Sequence, residues 1–159
     1  MKRTKPRLVT CAILTALLLA FIWGNSLLTG ETSGQVSGWV GQVIGTIFPF
    51  LSPDTQLGHL VLRKLGHFSE FAALGLCLAW LFGMLMERRV LAVSLPLAGG
   101  ILAAGIDETI QIFTPGRYSS IVDVTIDTCG ALTGIGIMYL LYLVGKLIHR
   151  RKSKQSKCK

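Results

Sequence analysis

The 159-residue sequence predicts an all-α, polytopic membrane protein with four transmembrane helices and an extracytoplasmic amphipathic helix. Three observations carry this. Hydrophobic residues make up 51% of the chain and charged residues 15%, with a mean hydropathy of +0.58, whereas a soluble domain carries about 25% charged residues. Four apolar stretches approach the ~20 residues needed to cross a hydrocarbon core. Sixteen Lys and Arg face eight Asp and Glu, and thirteen of the sixteen gather beside the ends of those stretches.

The first span is expected over 8–28, after Lys2, Arg3, Lys5 and Arg7. Its apolar run exceeds a signal-peptide core and no small-x-small site follows, so it reads as a retained helix. The segment from Glu31 to Leu62 holds Val36, Trp39, Val40, Val43, Ile44, Ile47 and Phe48 at helical spacing, before Pro49 and Pro53. That pattern predicts the amphipathic helix, lying on the outer membrane surface or packed as a cap over the helix bundle. A second span is expected over 67–86, closed by Glu87-Arg88-Arg89, and a third over 90–113, interrupted by Pro96. A fourth is expected over 121–144, before a basic tail, 145–159, with seven Lys and Arg. The whole chain, 1–159, reads as a single membrane domain.

Positive charge marks the cytoplasmic side. Four basic residues precede the first span, two separate the second from the third, and seven follow the fourth. All thirteen fall inside when both termini are cytoplasmic, and the protein is expected in the cell membrane as a multi-pass chain. Topology thus accounts for the net charge of +8, and nucleic acid is not an expected partner. Cys11, Cys77, Cys129 and Cys158 form no CxxC pair, so no zinc or redox motif is legible. Small residues at four-residue spacing (Gly75, Ala79, Gly83; Gly100, Ala104; Gly130, Gly134) suit close helix packing, within a bundle or between copies. The oligomeric state stays open.

Five of the eight acids, Glu70, Asp107, Glu108, Asp123 and Asp127, lie inside apolar spans. Each costs about 2.5–3.5 kcal/mol at a helix centre, so such residues face the bundle interior and mark function. Lys64, His67, Gln111, Arg117 and Ser120 accompany them. At ~1.5 Å per residue all ten fall in the outer half of the membrane. At ~100° per residue, Lys64, His67 and Glu70 span about 120°, Asp107, Glu108 and Gln111 about 100°, and Ser120, Asp123 and Asp127 about 60°. Each set can therefore face one interior, and together they predict an outward polar pocket.

Five acids against Lys64 and Arg117 leave an excess of negative charge. Protonation, a divalent cation or a cationic ligand would relieve it. An oxygen-rich set at Asp107, Glu108 and Asp123 would suit Mg²⁺ or Ca²⁺. An internal network of ion pairs is the purely structural alternative.

At these residues the chain resembles the VanZ-like family of small bacterial membrane proteins. Three blocks carry the resemblance: Arg63-Lys64-Leu65-Gly66-His67-Phe68 with Glu70-Phe71 and Leu74-Gly75; Asp107-Glu108-Thr109-Ile110-Gln111 with Phe113 and Pro115-Gly116-Arg117; and Ser120 and Asp123, leading to Gly130 and Gly134. They cover about half of the chain. Asp127 departs from the pattern, which has Asn there. The resemblance implies an integral membrane protein of the bacterial envelope that affects susceptibility to glycopeptides of the teicoplanin type, and no established reaction. A site in the outer leaflet would suit a membrane lipid or a lipid-linked cell-wall precursor as partner. An enzyme acting on such a substrate is the alternative, with His67 or a carboxylate as base and Lys64 and Arg117 on a phosphate. No GxSxG elbow and no HExxH motif is present.

Overall fold

The computed structural model describes residues 5–32, 38, 41–42, 46 and 56–157. Four helices follow one another: α1 (Lys5–Ser26), α2 (Gln56–Leu85), α3 (Arg89–Ile112) and α4 (Ile121–Lys157). No strand occurs among the described residues. All four are long and apolar enough to cross a membrane. Most of the stretch expected as an amphipathic helix lies outside the described residues.

Two boundaries differ from the sequence expectation. α2 begins about three turns before His67, because Leu57, Leu60, Val61 and Leu62 continue the apolar pattern upstream. Lys64, His67 and Glu70 therefore sit within the helix and not on its first turn. α4 runs past the apolar span to Lys157, since the basic tail holds no Pro and, Gly145 apart, is rich in Lys, Arg, Leu and Gln, which favour helix.

The bundle is apolar outside and polar inside. On α1, Val9, Ile13, Leu17 and Phe21 are exposed at four-residue spacing, while Cys11, Thr15, Ile22 and Ser26 are buried. Asp107, Gln111 and Asp127 are 0% exposed, whereas Leu102 and Ile121 are 66% and 79% exposed. Such a surface is stable only where the surroundings are hydrocarbon. An apolar core of Ile22, Phe71, Leu74, Leu78, Ala103 and Ala104 lies among α1, α2 and α3.

The most extensive packing joins α2 and α4. A Cβ added at Gly134 would overlap the Ala72 carbonyl oxygen, and one at Gly130 the Phe68 oxygen. The glycines let the two backbones touch. Gly75 and Gly100 also meet Ala131 of α4, so these small residues serve packing within the chain. Pro96, inside α3, leaves the Ala92 carbonyl without its helical donor. The Tyr139 hydroxyl of α4 donates to that oxygen at 2.7 Å.

The antiparallel order brings the end of α1, the first half of α2, the end of α3 and the start of α4 together. Trp80 and Met84 of α2 lie at the other end with Arg7 and Lys146, around a cavity of about 700 Å³. The polar groups thus occupy the half of the bundle opposite the termini.

Candidate functional site: a buried acidic cluster

α3 delivers the centre. Asp107 and Gln111 are one turn apart, so both side chains project from one stripe of the helix. The Gln111 amide donates to Asp107 Oδ2 at 2.9 Å, and Ser26 of α1 donates to Asp107 Oδ1 at 2.7 Å. Two donors to one buried carboxylate compensate the loss of water. Thr114, just beyond α3, donates to the Ser26 carbonyl at 3.0 Å and holds the end of α1 against it.

Glu108 points about 100° away from Asp107. Its Oε2 accepts the Ser120 backbone N–H at 2.7 Å. Ser120 in turn caps α4, its hydroxyl oxygen accepting the Val122 N–H at 3.2 Å. A carboxylate beside a helix N-terminus is favourably placed in the helix field. Glu108 Oε1 is buried and without a partner among the described residues.

α2 supplies the cations. Lys64 donates to Asp123 Oδ1 at 2.8 Å, and Arg63 stands 3.8 Å from Asp123 Oδ2. Arg63 also donates to Gln111 Oε1 at 3.4 Å. The Lys64 side chain is 42% exposed and that of Asp123 12%, so this pair forms the rim of the cluster. Glu70 accepts a long hydrogen bond, 3.4 Å, from Asn25 of α1.

Arg117 faces elsewhere. Its guanidinium donates to the carbonyls of Asn25, at 3.0 Å, and Leu28, at 3.2 Å. These carbonyls lie in and just beyond the last turn of α1, and that of Asn25 also accepts the Leu28 N–H at 3.2 Å, so Arg117 ties down that helix end. Burial pulls its guanidinium below its ordinary pKa. Gly116, at φ +73°, makes the turn that brings Arg117 back.

The floor is the least satisfied part. Asp127 is 0% exposed, and neither of its oxygens has a hydrogen-bond partner among the described residues. His67 Nδ1, likewise unpartnered, stands 3.7 Å from Asp127 Oδ1 and 3.9 Å from Asp107 Oδ2. Both separations are too long for a hydrogen bond. One donor atom from each of His67, Asp107 and Asp127 lies within 4.8 Å of the others.

The structure thus divides the ten expected residues. His67, Asp107 and Asp127 converge, with Gln111 bracing Asp107. Lys64 and Asp123 pair at the rim, Glu108 and Ser120 pair at the start of α4, and Glu70 leans on α1. Asp107, Glu108 and Asp123 do not converge as one ligand set, because the last two are turned toward Ser120 and Lys64. A cavity opens at the terminal end of the bundle, away from these residues.

The profile described as VanZ/LLP1 matches residues 11–142, which contain the second and third spans and most of the first and fourth. The chain belongs to the VanZ/LLP1 family. No curated protein and no solved structure matches it. In this VanZ/LLP1 chain the sequence left out four residues that build the site: Asn25, Ser26, Arg63 and Thr114. Asn25 and Ser26 carried a signal, as adjacent polar residues at the C-terminal end of an apolar span. Arg63 lay beside Lys64 but only the fold shows that both reach Asp123. With Arg63, five acids face three fixed cations in and around the cluster.

Proposed function

We propose that this VanZ/LLP1 protein resides in the bacterial cell membrane with both termini cytoplasmic. Its cluster binds the phosphate-bearing headgroup of a membrane lipid or of a lipid-linked cell-wall precursor in the outer half of the bilayer. By engaging that ligand it alters what a glycopeptide antibiotic of the teicoplanin type meets at the surface. The supporting observation is the rim: Lys64, 42% exposed, and Arg63, 27% exposed, sit together beside a buried acidic floor of Asp107 and Asp127. A guanidinium and an ammonium side by side suit a phosphate, the first in bidentate fashion. Arg117, committed to the end of α1, is not available for this role.

The test is native mass spectrometry of the full chain in detergent, beside teicoplanin susceptibility of expressing cells. Wild type should retain a phospholipid or lipid-linked phosphate and shift susceptibility. The double variant Arg63→Met/Lys64→Met should lose both. Glu87→Gln, outside the cluster, should keep both. A wild-type protein free of lipid, with unchanged susceptibility on expression, would overturn the reading.

His67 and Asp127 favour a second reading. They face each other across 3.7 Å with no competing hydrogen bond, an arrangement open to general-base catalysis on the bound headgroup. Turnover of a lipid-linked phosphate by purified protein, lost in His67→Gln, would select it.

A further inference from the structure

The floor of the cluster carries a feature that headgroup binding at the rim leaves unexplained. Asp127 is fully buried with two unpartnered oxygens, and His67 Nδ1, on a residue 8% exposed, is unpartnered beside it. Buried polar groups are otherwise satisfied almost without exception. An uncompensated carboxylate in a low-dielectric interior is costly. Both groups point to one spot, and Asp107 Oδ2 points to it as well.

We infer that His67 Nδ1, Asp107 and Asp127 bind one divalent transition-metal cation, with Zn²⁺ as the best fit. Three features support this. The first is charge, since Asp107 and Asp127 together carry −2 and one divalent ion neutralises them. The second is spacing. Donors around a tetrahedral ion with bonds of about 2.0–2.2 Å stand about 3.3–3.6 Å apart. The nitrogen here is 3.7 and 3.9 Å from the two carboxylate oxygens, a few tenths of an ångström from that spacing, and one ligand atom from each of the three residues lies within 4.8 Å of the others. The third is the ligand set, because an imidazole nitrogen favours Zn²⁺ and its neighbours over Mg²⁺ or Ca²⁺, which prefer oxygen alone.

The surroundings match a metal site too. Ser26 and Gln111 hydrogen-bond to the two oxygens of Asp107 and would fix the orientation of that ligand. Three protein ligands leave a fourth position open, as in sites where zinc holds water or substrate. The rim cations Lys64 and Arg63 rise from α2 one turn before His67, on the same helix. The metal site stands whether or not a lipid binds at that rim.

Metal analysis of the full chain tests the assignment. The protein is purified in detergent without chelator from cells grown with added Zn²⁺, and its metals are measured by plasma mass spectrometry. Wild type should hold about one transition-metal ion per chain. Asp127→Asn and His67→Gln should each lose it, while Asp123→Asn, whose side chain is engaged by Lys64, should retain it. X-ray absorption of the wild-type protein gives a readout free of folding effects, and should show nitrogen and oxygen ligands without sulfur. Less than a tenth of an equivalent of metal in wild type, full occupancy in a folded Asp127→Asn protein, or sulfur ligation would each overturn the proposal.

Discussion

Replacing Gly134 with Ala places one methyl group where α4 lies directly against the backbone of α2. The added Cβ would overlap the Ala72 carbonyl oxygen and stand 2.7 Å from the Leu76 nitrogen, where ordinary contact begins at 3.4 Å. All the obstructing atoms are backbone, so no rotamer change relieves the clash. α4 must move from α2 by at least about 0.7 Å to clear the nitrogen alone. Overpacking of this kind costs about 1–3 kcal/mol. In a chain of this size each kcal/mol is about 2–4 °C of melting temperature, so a fall of several degrees is expected. Gly136 supplies the control, because a Cβ there meets nothing within 4 Å. Gly136→Ala should hold or slightly raise the melting temperature, as Ala is the better helix former. The same displacement would part His67 on α2 from Asp127 on α4, so Gly134→Ala should also weaken metal retention. The assay is thermal unfolding of both variants in one detergent. Equal melting temperatures for the two would refute the close α2–α4 seam on which the geometry of the cluster depends.

Other outcomes follow from single contacts. Tyr139→Phe removes the hydroxyl that donates to the Ala92 carbonyl beside Pro96 while keeping the ring, and should cost about 0.6–1.7 kcal/mol; an unchanged unfolding midpoint would mean that the carbonyl has found another donor. Ser26→Ala takes the 2.7 Å donor from buried Asp107 and should cost about 1.5–3 kcal/mol, as for hydrogen bonds to charged groups, measured by the same unfolding assay. In a background without other cysteines, Cys at position 118, where Tyr118 is 83% exposed, should react with an impermeant thiol reagent in intact cells, and Cys158 should not; the reverse pattern would invert the proposed orientation and place the cluster on the cytoplasmic side.

Much of this molecule was legible without its fold. Span number follows from runs of apolar residues, and those runs are a property of the local chain. The shared depth of the polar groups follows from the rise per residue, since each lies within about three turns of a span end. Rotation of each helix about its own axis was only partly legible. Periodicity puts Asp123 and Asp127 on one stripe of α4 and cannot distinguish them, yet Asp123 meets Lys64 and Arg63 while Asp127 meets no hydrogen-bond partner among the described residues. Asp107 and Glu108 are neighbours in sequence, but the turn of the helix sends one to the floor and the other to the backbone of Ser120. Arg117 read as a partner for acids or phosphate and instead ties down the end of α1, because the turn after α3 brings its guanidinium to the Asn25 and Leu28 carbonyls. The acids, their span and their depth belong to the sequence. Which of them is compensated depends on how far the glycine seam lets α2 and α4 approach and on the angle at which α3 packs against both, and these are set by contacts between residues far apart in the chain.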